Sequence, residues 1–230
     1  MSDARIKTGT SSVMLGNSDG TLVDVRGTRD GAIFTAPWLT ALALEGRCFG
    51  VNIGTGSTPI TLTSAWVATT PDLYIQVPSG TTIVPVFIEC AWEDTDAAGV
   101  MDVIATLSAV VDTSPGGNAL TIHNMRTDKP RKSNCVAQSV TTTVTTPYTG
   151  NFLEFWRGTA GMAADAFNGA EAQTNELNIR TSWCIKDAVT PPVIVGTGSL
   201  SIWATNSVGA TAITGWITAI WAEVPSNSIV

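Results

Sequence analysis

The residue types that could do chemistry are few and scattered along the chain. One histidine, His123, alternates with Ile122 and Met125 in a strand-like segment. A histidine acting as a general base needs a nucleophile and an orienting partner held beside it. Neither a G-x-S-x-G elbow nor an H-E-x-x-H zinc helix occurs in the sequence. Glu93–Gly99 gathers three carboxylates before a glycine, faintly like a calcium loop, but Ala98 and Ala105 stand where further oxygen ligands are needed. The segment reads as a solvated hairpin tip. Gly54–Ser57 and Gly196–Ser199 share the composition of phosphate loops. No Lys-Ser/Thr follows either one, and each leads into a strand rather than a helix N-terminus, so both read as turns. No catalytic residue, metal ligand or cofactor site is assigned, and the chain is not expected to be an enzyme.

Two groups of side chains suggest contact rather than catalysis. Arg126, Lys129, Arg131 and Lys132 form the one basic cluster, interrupted by Asp128 and Pro130. It reads as a solvated loop, or as an electrostatic contact with an acidic neighbour such as another copy. Eight tryptophans accompany only two tyrosines. Trp92, Trp183, Trp203, Trp216 and Trp221 lie in apolar alternation, where core or subunit interface is the expected place. Trp66 and Trp38, beside loops, are better placed to stack on sugars.

Composition narrows the classes. Hydrophobic residues make up 44% of the 230, and charged residues only 13%, well below the usual share for a soluble domain. So few charges predict that much nominal surface is occluded between subunits; a β-sandwich with a Thr-rich outer face is charge-poor as well. The net charge of −7 argues against nucleic acid as the main partner, because phosphate binding rests on clustered Lys and Arg. Cys48, Cys90, Cys135 and Cys184 lie more than forty residues apart without a CxxC pair, and are expected to be reduced and mostly buried. Two long-range disulfides remain compatible with such spacing. No leader-like apolar segment opens the sequence, and no apolar run reaches the roughly 18 residues of a membrane span. A soluble protein is expected.

The elements that must position these groups are mostly strands. Residues 1–30 are polar and turn-rich and read as an extended N-terminal arm or a short hairpin around Leu22, Val23 and Val25. Residues 31–230 read as one β-sandwich domain. Thr35–Glu45 is the one plausible helix, with Pro37 suited to the first turn, although Leu42 and Leu44 could instead begin a strand. Strands are expected around Ile60–Leu62, Leu73–Val77, Thr82–Glu93, Val100–Val111, Leu120–Met125, Cys135–Thr146 and Phe152–Trp156. Pro85 cannot donate to a ladder, which predicts an edge or a bulge at that point. Gly158–Thr174 is the longest loop candidate, an exposed excursion suited to a partner.

In the last third, Trp183 and Ile185 share a parity with Leu177 and Ile179. Leu200, Ile202 and Ala204 repeat the pattern, as do Trp216, Thr218, Ile220, Ala222 and Val224. The other parity of that final strand holds Ile217, Ala219 and Trp221, so both of its faces need cover, by a second sheet or another copy. Nine or ten strands with little helix suit an all-β, jelly-roll-like two-sheet sandwich.

Pro71–Pro85 (PDLYIQVPSGTTIVP), Gly198–Thr205 (GSLSIWAT) and Trp216–Pro225 (WITAIWAEVP) resemble segments of jelly-roll virion proteins of tailed bacteriophages, in particular capsid-decoration and head-fibre-type proteins. The likeness covers about a third of the chain. It implies a structural component of a virion assembled in the host cytoplasm. Such a component is often a homotrimer packed about a symmetry axis, touching other capsid proteins, with no nucleic acid or membrane as partner. It implies no catalytic residues. A receptor- or glycan-binding tail module and a single-jelly-roll major capsid protein are the rival expectations.

Overall fold

The computed structural model describes residues 37–63, 65–92, 99–128, 131–139, 144, 152–162, 180–206 and 213–226, with the backbones of Arg5–Lys7 and Leu22–Asp24. In chain order the elements begin with β1 (Arg5–Lys7), β2 (Leu22–Asp24), α1 (Trp38–Leu44), β3 (Cys48–Ile53), β4 (Ile60–Thr61), β5 (Leu73–Val77), β6 (Thr81–Trp92) and β7 (Gly99–Ser108). They continue with β8 (Asn118–Leu120), β9 (His123–Asn124), β10 (Val136–Ser139), β11 (Phe152–Met162), β12 (Arg180–Cys184), β13 (Ile194–Val195), β14 (Gly198–Asn206) and β15 (Thr214–Pro225). Among the expected arm residues, β1 and β2 pair antiparallel with each other.

Two antiparallel sheets stack into a sandwich. The first runs β11-β7-β14-β5-β10-β8 and the second β12-β6-β15-β3-β9. The eight principal strands pair as one long hairpin would: β3 with β15, β5 with β14, β6 with β12, and β7 with β11. Rolling that hairpin up adds the contacts β15 with β6 and β14 with β7. Successive principal strands thereby alternate between layers except at the hairpin's tip, where β7 and β11 share the first sheet, which is the jelly-roll arrangement of an all-β sandwich. The inner faces meet through Phe49, Val51, Ile53, Leu73, Ile75, Ile88, Cys90, Met101, Val103, Leu200, Ile202, Ile217 and Trp221, all buried.

The final strand departs from expectation. Ile217, Ala219 and Trp221 face the core, so the parity of Trp216, Thr218 and Ile220 is the outer one. That outer face is partly covered within the chain, and Trp216, Thr218 and Ile220 stay half-buried. Trp216 donates its indole N–H to Thr55 O at 2.7 Å. Met125 lies over Gly50 beside Ile220. Ala222 and Val224 pack under Leu39, Leu42 and Ala43 of α1. Pro37 stands at the N-cap, with a non-helical ψ of 141°, and not inside the first turn as expected; Leu42 seats the helix on that apolar surface.

Other differences are local. Leu120–Met125 is two strands, not one: β8 extends the first sheet and β9 the second, so this connection passes from one layer to the other. Residues 158–162 belong to β11, which shortens the expected excursion from its front. The rest of that excursion, the acidic segment 93–98 and Lys129 lie outside the described residues. Pro85 sits at a register shift between β6 and β15, so the missing donor costs no ladder bond there. On its other side it falls in the gap between the parts of β6 that pair with β12 and with β13.

The lateral edges are short or interrupted. β8 and β9 hold three and two residues. β11 carries a register shift between Glu154 and Trp156. At the opposite margin β11 touches β12 across the two layers, and a Cβ on Gly158 would sit 2.6 Å from Trp156 Cζ2 and 3.1 Å from Thr181 Cγ2.

Candidate functional site

The outer face of the first sheet carries a recess. On β14 the outward residues Ser199, Ser201, Trp203 and Thr205 are buried although they point away from the core. The loop of residues 62–72 explains part of this. Asp72, fully buried, accepts from Thr63 N and Thr63 Oγ1 at 2.9 Å through one oxygen and from Ala204 N at 2.8 Å through the other. Burial pushes its carboxyl up to about 6 against the pull of those hydrogen bonds. Farther along the loop, Trp203 donates its indole N–H to Val67 O at 3.0 Å, and Val144 N donates to Thr69 O at 2.7 Å. The loop is thus fixed on both sides of Trp66. The Trp66 ring lies over Trp203, centroids 6.4 Å apart and tilted by 41°, and remains 45% exposed.

Beside Trp66 opens a groove of about 550 Å³. Ile104, almost fully buried, Asp102, Glu154, Arg157, Thr205 and Asn206 line it. The register shift in β11 aims two of these groups. Phe155 and Trp156 both pack against the core, which leaves Glu154 and Arg157 on the outer face. There they form a two-point ion pair, Nε to Oε1 at 2.8 Å and Nη2 to Oε2 at 3.1 Å. Asp102 Oδ1 accepts from Thr159 Oγ1 at 3.1 Å. The groove therefore places a rigid aromatic plane beside a carboxylate, an ion pair, an amide and a hydroxyl. The described lining contains no histidine and no cysteine.

A smaller cleft of about 220 Å³ gathers Arg47, Arg131, Lys132 and Glu223. Glu223 is buried and accepts from Trp221 Nε1 at 3.0 Å, from Asn134 N at 3.1 Å and from Ser133 Oγ. Those bonds tie residues 133–134 to β15. Arg126 of the same basic cluster is engaged elsewhere, with both oxygens of Asp128 and with Leu44 O at 2.6 Å. The sequence cluster is thus split: Arg126 latches onto the end of α1, while Arg131 and Lys132 line the cleft.

A third surface is apolar. Leu107, Ala109, Val193, Ile194 and Val195 line a shallow cleft at the end of the sandwich where β7 stops and β14 begins. Leu153 lies cross-strand from Leu107, with Phe152 beside it. Leu153 is 55% exposed and Val195 52%, and Val189 in the preceding loop is wholly exposed.

The remaining sequence candidates fall apart in space. His123 is an exposed member of β9, on the second sheet. Cys48, Cys90 and Cys135 are buried and Cys184 half-buried, all as free thiols. Burial raises the thiol of Cys48 to about 11 and raises those of Cys90 and Cys135 as well. Gly54–Ser57 and Gly196–Ser199 both hold turns, as expected. Among the described residues no three His, Cys, Asp or Glu side chains are grouped as metal ligands, and no helix is long and apolar enough to cross a membrane. Trp38 sits on α1, over the other sheet and at the far end of β3 from Trp66. Asp72, Asp102, Glu154 and Arg157 carried no signal individually, although Asp102 alone interrupts the apolar run of β7.

Compared with known proteins, the chain matches no family model and no curated sequence.

Proposed function

We propose that this chain is a self-associating structural subunit. Following the resemblance of Pro71–Pro85, Gly198–Thr205 and Trp216–Pro225, we assign it to the exterior of a phage particle as a decoration or auxiliary component. The observation that carries self-association is the apolar end of the sandwich, where the exposed Val193 and Val195 line one cleft with Leu107, and the exposed Leu153 lies cross-strand from Leu107. Scattered exposed apolar residues are ordinary, but a contiguous set at one end marks a contact surface. The low charge of 13% supports the same reading. The two-faced β15 carries less weight, because α1, Met125 and the turn at Thr55 cover part of its outer side.

Its work is then mechanical: copies bury this end against one another and hold neighbouring units of a shell together. Light scattering on the full chain tests the reading. An oligomer at micromolar concentration that Leu153→Glu with Val193→Glu converts to a folded monomer is the expected result. A monomeric wild-type chain at that concentration overturns it.

A further inference from the structure

We propose that the groove beside Trp66 binds a neutral saccharide of two or three pyranose units. The proposal stands whether or not the chain self-associates, because it rests on the outer face of the first sheet and not on the apolar end. Its first support is an investment in the platform. The loop that covers Trp203 also sets the position of the half-exposed Trp66. Here Asp72, fully buried, spends three hydrogen bonds on Thr63 and Ala204, and the buried Trp203 spends its indole N–H on Val67. A buried carboxylate is costly unless it is hydrogen-bonded, and Asp72 meets that need through both of its oxygens. What these fix is the stretch that carries Trp66, set over Trp203 with its ring partly open to the groove. A binding surface held in place before the ligand arrives loses less entropy when it closes on that ligand.

The second support is the match of chemistry to ligand class. A pyranose presents a flat patch of C–H groups and a rim of hydroxyls that both donate and accept. Trp66 supplies the apolar plane, with Ile104 on the floor. Asp102, Glu154, Arg157 and Asn206 supply acceptors and donors in planar, fixed-geometry groups. The Glu154–Arg157 pair is two-pointed, so both side chains are already oriented. A groove of about 550 Å³ falls within the range of small-molecule sites, a few hundred to about 1,000 Å³.

Charge selects among glycans. Two carboxylates face one guanidinium in the lining, and the whole chain carries −7. Sialylated or sulfated sugars, and the phosphates of nucleic acid, meet repulsion there. Neutral hexose and N-acetylhexosamine chains do not.

The test uses the full chain on a printed array of neutral hexose and N-acetylhexosamine oligosaccharides, with sialylated and sulfated glycans and single-stranded oligonucleotides alongside. Hits are titrated by Trp fluorescence. Binding to neutral glycans is expected, weakened by about tenfold or more in Trp66→Ala, the loss typical of an aromatic anchor. Arg157→Ala, on an exposed strand position, should also weaken it, while Trp38→Ala should leave it unchanged. Melting curves matched to wild type show that each variant is folded. A wild-type chain silent on the neutral array, binding confined to acidic glycans or oligonucleotides, or equal binding by folded Trp66→Ala and Arg157→Ala overturns the proposal.

Discussion

Asp72 couples stability to pH in a direction opposite to that of most surface carboxylates. Its folded carboxyl sits at about 6, above the usual 3.8. The folded state therefore holds the proton more tightly than the unfolded chain does. Protonation favours folding: the contribution is fully present below about pH 4 and is lost as pH rises through about 6. The size is on the order of 3 kcal/mol. Asp72→Asn cannot titrate, so the stability of that variant minus wild type should rise by this order between pH 4 and 7. Denaturant midpoints across the range check it, and a flat difference refutes it. The thiols make a second residue-scale prediction. With Cys48, Cys90 and Cys135 buried and their thiols raised by burial, native iodoacetamide labelling near pH 8 should modify Cys184 first. The other three should react only on unfolding, as peptide mass spectrometry would read out.

At the scale of elements, two glycines on β11 separate packing from propensity. A Cβ on Gly158 would collide with the Thr181 side chain of β12 and come within 2.6 Å of Trp156, whereas one on Gly161 meets nothing within 4 Å. Gly158→Ala should cost about 1–3 kcal/mol by forcing the two layers apart where they close, and Gly161→Ala should cost far less. Thermal unfolding of the pair distinguishes closure at this margin from an intrinsic strand preference. This scale was also the most legible in sequence. Leu73–Val77, Thr81–Trp92 and Leu200–Ala204 lie where alternation and turn residues predict them, and Pro85 marks a bulge as its missing N–H requires. Alternation gives a period but not which parity faces inward. Trp216, Ile220, Ile217 and Trp221 are all large and apolar, so only the positions of α1 and Met125 decide between faces. The groove was half legible. Trp66 stands out beside a loop. Asp102, Glu154, Arg157 and Asn206 come from three strands far apart in sequence, and the β11 register shift that re-aims two of them has no one-dimensional signature.

For the whole molecule, the association proposed through the apolar end predicts a stability that depends on concentration. Subunits that bind one another only when folded raise the midpoint by mass action. The thermal midpoint of the wild-type chain should therefore climb over a hundredfold increase in protein, and the slope should vanish in Leu153→Glu with Val193→Glu. A midpoint independent of concentration in the wild type would remove the apolar end as a site of assembly. The four margins of the sandwich set how that assembly can grow. Strands β8 and β9 are too short to template a partner, and the one long margin, β11, is kinked and carries an ion pair. The fourth margin, β12, offers five residues. Concentrated solutions of the intact fold should stay free of fibrils and thioflavin signal, because growth by strand addition meets only short or interrupted rows of amides among the described residues.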